Sequence, residues 1–389
     1  MSFQGLFVYT ILIGIMELFA INLAKDTPYI TYSNGRLKEK TFFRWEIITP
    51  ILIFSIVLGM RWNVGWDHIP YLFAYIQNDI ERFEFGFKFI TSLFQKANIH
   101  YVLYFTLWAF LQIYFFLLSF KKEYYLFPFL IIFIFTQSEV SFWINGIRQA
   151  LSMCFILYSI TFIDKKKPVY YILLSIIAVS FHRSAIIIVI ILYPLLVSGK
   201  CYFRKQYLQY FLLILAFIGR TIIYNHIEQF EIVLEFYNEL IGYAGTEVGY
   251  TMEQLSAMEK ENSIGFVYII RLLVILIIIA FSTKMRLFYS SRWFNIIYNL
   301  FFIGALFTYL APGNINNIDR LFRYFYIYKP IMISYLCYYL YKCNNTNKML
   351  SYVIISLDIL GWFGANIKNG WSFEFFFQHE ITDIMYYLN

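Results

Sequence analysis

Apolar residues recur along this chain in long, nearly unbroken runs, not at the spacing of an amphipathic surface helix or an alternating strand. The runs fall at 4–23, 45–60, 100–119, 124–142, 147–163, 169–181, 184–198, 207–224, 264–281, 293–311, 324–341 and 350–366. Most approach the roughly 20 residues a helix needs to cross about 30 Å of hydrocarbon. The pattern predicts an all-α fold, a polytopic transmembrane helix bundle of about 12 spanning helices, read as a single transmembrane domain over 1–389. The first run lacks a positive leader and a small-residue cleavage site before Lys25, so it reads as a span and not a signal peptide.

The polar stretches between the runs alternate in character. One set is basic: Lys25, Arg36, Lys38, Lys40 and Arg44; Lys121 and Lys122; Lys165 to Lys167; Lys200, Arg204 and Lys205; Lys284, Arg286 and Arg292; Lys342 and Lys348. The excess of cations in short cytoplasmic loops places this set inside the cell. The other set includes 225–264, which carries Glu228, Glu231, Glu235, Glu239, Glu247, Glu253, Glu259 and Glu261 against Lys260 alone. It belongs outside, and so do both termini. The apolar stretch 169–198 is interrupted only at His182-Arg183. Read as one helix it would invert every later loop, so it is expected to break there, with His182 and Arg183 sunk below the outer surface. Outer loops 61–99 and 225–264 are expected to carry short amphipathic helices. Ile227, Phe230, Leu234, Tyr237 and Ile241 recur at helical spacing in the second, and Ile69 to Lys96 mixes aromatics and charges similarly.

Composition narrows the class. The chain is 60% hydrophobic and 14% charged, with mean hydropathy +0.61, where soluble domains carry about 25% charged residues. The net charge of +7 is distributed over short loops, which orients a membrane protein and makes no groove for nucleic acid. Cys154, Cys201, Cys337 and Cys343 form no CxxC pair, which supports neither a disulfide framework nor a zinc site. No DxD, HExxH or histidine cluster at ligand spacing is present, so no metal and no cofactor is expected.

The cations outside the basic loops are mostly arginines: Arg61, Arg82, Arg148, Arg183, Arg220, Arg271, Arg320 and Arg323. The basic loops are mostly lysine. Arginine is favoured where a planar fork must grip phosphate or carboxylate with two hydrogen bonds. Arg148, Arg271 and Lys329 lie within apolar runs, where a charge costs roughly 2.5–3.5 kcal/mol on insertion scales. Such a charge requires a buried partner, for which Glu17, Glu139 and Asp358 are available, or an anionic ligand. An arginine-rich outer pocket at membrane depth suits a lipid bearing phosphate or pyrophosphate. Outer aromatics such as Trp62, Trp66, Trp143 and Trp371 either stack on sugars or form the usual interfacial belt.

Four stretches taken together resemble the EpsG/Wzy-type polysaccharide polymerases of bacterial membranes. They are Gly59-Met60-Arg61-Trp62-Asn63-Val64-Gly65-Trp66-Asp67 followed by Tyr71; Asn145-Gly146-Ile147-Arg148-Gln149-Ala150; Ala178-Val179-Ser180-Phe181-His182-Arg183-Ser184-Ala185; and Asp319-Arg320-Leu321-Phe322-Arg323-Tyr324-Phe325. The resemblance implies a multi-pass enzyme of the bacterial cytoplasmic membrane acting on undecaprenyl-pyrophosphate-linked oligosaccharides, for capsule, exopolysaccharide or O-antigen. It also implies pathway partners, namely a flippase and a chain-length regulator. On this reading Arg148, Arg320 and Arg323 bind the donor pyrophosphate with Arg61 or Arg271 assisting, and Tyr71, Glu139, Asn145, Gln149 and Arg183 complete the binding set. His182 and Asp67 are rival general bases. The bland alternatives are a core histidine and interfacial arginine anchors. The competing functions are a lipid-linked glycan flippase or transporter, another lipid-linked glycosyltransferase or ligase, and a membrane acyltransferase.

Overall fold

The computed structural model describes residues 3–26, 29–31, 37–225, 266–310, 316–343, 345–369 and 373–379. Helices dominate it. In chain order they are α1 (Phe3–Leu23), α2 (Trp45–Gly59), α3 (His68–Ile76), α4 (Phe85–Lys96), α5 (Tyr101–Ser119), α6 (Phe127–Thr136), α7 (Glu139–Asn145), α8 (Ile147–Asp164), α9 (Pro168–Phe181), α10 (Ala185–Leu196) and α11 (Gln206–Asn225). They continue with α12 (Phe266–Tyr289), α13 (Arg292–Leu310), α14 (Asn316–Tyr326), α15 (Tyr328–Lys342) and α16 (Asn345–Asn369). Two small antiparallel pairs accompany them. Strand β1 (Tyr29–Thr31) pairs with β2 (Leu37–Glu39), and β3 (Arg61–Trp62) pairs with β4 (Glu374–Phe375).

Among the described residues, six helices are long and apolar enough to cross a membrane, or seven if one bent pair is a single span. Helices α2, α9 and α10 are apolar but shorter. Their faces explain why a bilayer is needed. On α9, Tyr171, Ser175, Ala178 and Phe181 are buried, while Ile172, Leu173, Ile176 and Ile177 are exposed. An outward row of isoleucine and leucine is favoured against an apolar surrounding, which a lipid bilayer supplies. The fold is thus an all-α membrane helix bundle with two strand pairs added.

The expected break after Phe181 is present, with α10 starting at Ala185. The run at 124–142 differs from expectation. It divides into α6 and α7, bent by 61°. Ser138 adopts a left-handed conformation there (φ 66°), and Thr136-Gln137-Ser138-Glu139 are four polar residues in succession. Asp358 on α16 accepts hydrogen bonds from Thr136 and Gln137, which gives the polar break partners within the protein. The run at 324–341 also divides, between α14 and α15 at Ile327. The helical pattern in 69–96 becomes α3 and α4. The pattern in 225–264 lies outside the described residues.

The chain forms two compact units, one from Met1–Thr161, Val169–His182 and Tyr352–Asn389, the other from Phe162–Pro168 and Arg183–Ser351. In the first, α2 and α5 pack most closely. A Cβ on Gly59 would lie 2.8 Å from the Val102 carbonyl and 2.8 Å from the Thr106 amide, so this crossing tolerates no side chain. Gly59→Ala is expected to destabilise the protein by about 1–3 kcal/mol through overpacking, read as a lower unfolding temperature in detergent. Gly14→Ala, which would meet nothing within 4 Å, should not lower it.

Candidate functional site

Two of the sequence stretches meet in the first unit. After β3 the chain turns tightly through Asn63 (φ 45°) and Gly65 (φ 93°), backbone that favours glycine. Gly65 has a second reason to be glycine. A Cβ there would lie 2.5 Å from Asn145 Oδ1, so the turn rests directly on the Asn145 side chain. Asn145 Nδ2 donates to the Ser141 carbonyl at 2.9 Å. Arg61, 2% exposed, donates to the Leu58 carbonyl at 2.6 Å and the Ile144 carbonyl at 3.3 Å. Its guanidinium lies 4.9 Å from the Phe105 ring centroid. Arg61 therefore ties the end of α2 to the end of α7. Gln112 spans the junction between α7 and α8 by donating to the Trp143 and Ile147 carbonyls, both at 3.2 Å.

Arg148 leaves the first turn of α8 toward α3 and α4. Its Nε donates to Tyr71 Oη at 3.3 Å, and an Nη donates to Glu84 Oε2. The guanidinium lies 4.7 Å from the Phe83 ring centroid and within 6.0 Å of those of Phe87 and Tyr71, so aromatic faces hold the cation on its remaining sides. Glu84 Oε1 lies 3.3 Å from His182 Nδ1. One carboxylate thus faces both a guanidinium and an imidazole. Glu84 is the N-cap residue of α4 yet makes no side-chain cap hydrogen bond; its oxygens are turned to Arg148 and His182 instead.

Backbone contact makes this meeting possible. A Cβ on Gly86 would lie 2.5 Å from Ser180 Oγ and 3.0 Å from the Ser180 carbonyl oxygen. The first turn of α4 can therefore lie against the end of α9, one step from His182. Beneath it Phe87 stacks on Trp108 at 4.9 Å, and Trp108 meets Phe181 edge-on at 5.9 Å. Thr91 and Tyr104 share a 2.9 Å hydrogen bond.

Electrostatics favour the charged carboxylate. Burial pushes the Glu84 carboxyl up, but the hydrogen bond to His182 and the charge of Arg148 outweigh it and bring it down to about 2. Burial, with the charge of Arg61 added, holds His68 well below the usual histidine range, so His68 is neutral at pH 7. It sits 4.7 Å from Phe105 and 6.3 Å from Trp62, as a ring of the core.

Of the sequence candidates, Tyr71, Arg148 and His182 come together, with Asp67 one helical turn before Tyr71 (Tyr71 N to Asp67 O, 3.1 Å). Asn145 and Arg61 form the adjoining scaffold, and Gln149 is buried beside Arg148 in sequence. Glu139 is buried at the α6–α7 break. The third stretch is divided, with Ala178 to His182 in the first unit and Arg183 to Ala185 in the second, where the fourth stretch also lies. There Ser184 Oγ and Tyr324 Oη lie 3.2 Å apart, joining α10 to α14. Arg183 and Arg271 are exposed, Arg323 is half-buried, and Arg320 lies on α14 with its side chain outside the described residues. Glu84 is the residue that sequence patterns missed. It sits 64 positions before Arg148 in a stretch of mixed charge, and only the Gly86 contact singles it out.

Glu84→Gln should destabilise the folded protein at pH 7 by about 2 kcal/mol, since it removes a charge-assisted contact to the half-buried Arg148. A carboxyl depressed by folding contributes fully above its unfolded pKa of about 4.3. The gap between wild type and variant should therefore close as pH falls from about 4.3 through about 2, measured by unfolding in detergent.

A model of the EpsG family matches residues 44–375, which is most of the chain. No curated protein and no solved structure matches.

Proposed function

Because this chain belongs to the EpsG family, we propose that it is a membrane polysaccharide polymerase, a glycosyltransferase joining undecaprenyl-pyrophosphate-linked oligosaccharide repeat units at the outer face of the bacterial cytoplasmic membrane. The observation that carries the reading is the carboxylate of Glu84 between Arg148 and His182. It brings an anion-gripping arginine and a candidate base to one point. In this reading the chain crosses the membrane about 12 times with both termini outside, so loop 61–99 and the turn at His182 face the periplasmic side or cell exterior. A flippase delivers the repeat units and a chain-length regulator limits the product.

The chemistry is glycosyl transfer. The acceptor hydroxyl oxygen of one lipid-linked repeat attacks the anomeric carbon of the growing glycan. The bond from that carbon to the pyrophosphate oxygen breaks, its electron pair stays on the lipid pyrophosphate, and the hydroxyl proton passes to the base. With Nδ1 turned to Glu84, the base position falls to His182 Nε2. A carboxylate behind an imidazole orients the ring and stabilises the imidazolium as it forms, as in other Glu/Asp–His pairs. Arg148 meets the charge developing on the leaving group, and a preplaced cation does so without reorganisation. Arg183, Arg271, Arg320 and Arg323, all in the second unit, are further candidate cations for an anionic carrier. Asp67, the N-cap residue of α3, is the rival candidate base.

A lipid-linked glycan flippase is the second reading. The 61° break between α6 and α7 favours it, since broken helices at membrane depth recur in transporters. Purified protein incubated with an undecaprenyl-pyrophosphate-linked repeat separates the two. A ladder of glycan lengths on a gel is expected, and vectorial movement of lipid without a ladder would support the flippase. His182→Ala should lower elongation by about 10²–10⁴-fold, and Asp67→Asn by less than about tenfold. The reverse ranking would transfer the base role to Asp67. Arg148→Lys, which keeps charge but loses the fork, should also lower elongation well below wild type.

A further inference from the structure

The geometry points to Glu84 as a positioning residue that couples donor binding to the base: the lipid pyrophosphate displaces Glu84 from Arg148, and the released carboxylate turns wholly to His182. The inference rests on the polymerase reading above and concerns how its site is switched on.

Three observations support the exchange. First, the carboxylate is divided, with Oε2 on Arg148 and Oε1 3.3 Å from His182 Nδ1. The second contact is longer than a good charge-assisted bond of about 2.7–2.9 Å, so His182 has the weaker hold on Glu84. Second, Arg148 is held from other sides by Tyr71 Oη and the faces of Phe83 and Phe87. It can therefore change its anionic partner without losing its place. Third, Glu84 stands at the junction of α4 and the preceding turn, with Phe83 N bonded to the Ile80 carbonyl at 3.1 Å. A rotamer change there moves the carboxylate without unwinding a helix.

The physical reason is competition for one cation. A pyrophosphate brings more negative charge to a guanidinium than a single carboxylate, and it matches the fork in two hydrogen bonds. Before the donor arrives, Arg148 neutralises Glu84 and weakens its pull on His182. Once the donor is bound, Glu84 faces His182 alone and stabilises the imidazolium that forms as the acceptor loses its proton. The base then reaches full strength only when a leaving group is in place.

The exchange makes a prediction that a merely structural ion pair does not. Removing the Glu84 charge frees Arg148 from competition, so donor binding should tighten while turnover falls. Binding is measured with farnesyl pyrophosphate as probe on the full chain in detergent, with folded protein matched by gel filtration. Elongation is measured with the lipid-linked repeat. Glu84→Gln is expected to bind the probe about tenfold more tightly and to elongate at least a hundredfold more slowly. Glu84→Asp, whose shorter side chain cannot span both partners, should shift both quantities in the same directions by less, and it serves if Glu84→Gln does not fold. Binding that weakens or stays unchanged in the folded variants, while wild type binds and elongates, overturns the exchange and leaves the polymerase reading standing. Wild type that neither binds the probe nor elongates overturns both.

Discussion

A carboxylate taken out of water must be met by positive charge or hydrogen-bond donors, and in the first unit that requirement gathers the site. Glu84 is met by Arg148 from α8 and His182 from the end of α9. Each of these belongs to a different sequence stretch, and neither is close to Glu84 in the chain. The contact is possible because Gly86 lets α4 touch the backbone at Ser180. It is kept in register by the aromatic floor of Phe87, Trp108 and Phe181. Loss of any one of these supports would leave a buried charge uncompensated, which costs more than the contact itself contributes.

A second set of contacts holds the scaffold in place. Gly65 rests on Asn145, Arg61 clasps the ends of α2 and α7, and Gln112 bridges α7 to α8. In this arrangement two arginines outside the basic loops have different partners. Arg61 serves the backbone carbonyls, whereas Arg148 serves the Glu84 carboxylate. Arginine suits both tasks for the same reason, a rigid fork of donors. In the second unit, Ser184 and Tyr324 link α10 to α14 in a comparable way.

Much of the fold was legible because bilayer thickness writes itself into run length. Most apolar runs anticipated a helix to within a few residues, although 264–281 stops eight short of the end of α12 and 324–341 spans the break at Ile327; the interruption at His182-Arg183 marked the end of α9. The break at Ser138 was not legible, because its flanks are apolar and the polar residues there are few enough to pass as part of one span. Among site residues, Arg148 and His182 stood out as charges in apolar surroundings. Glu84 did not, since a glutamate among charged and aromatic neighbours between two apolar runs carries no local mark of burial. Nor did sequence distinguish Arg61 from Arg148; that difference lies in which oxygens face each fork. Strands β3 and β4 pair residues more than 300 positions apart and are too short to leave a periodic signal.

The central claim is that Glu84 acts through His182, and a double-mutant cycle on elongation rate tests it most directly. Glu84→Gln and His182→Asn are measured singly and together in folded, purified protein. If Glu84 works by positioning the base, the double variant should be no slower than His182→Asn alone, because a partner has nothing left to position. Losses that multiply across the two sites would show that Glu84 and His182 act independently and would contradict the account.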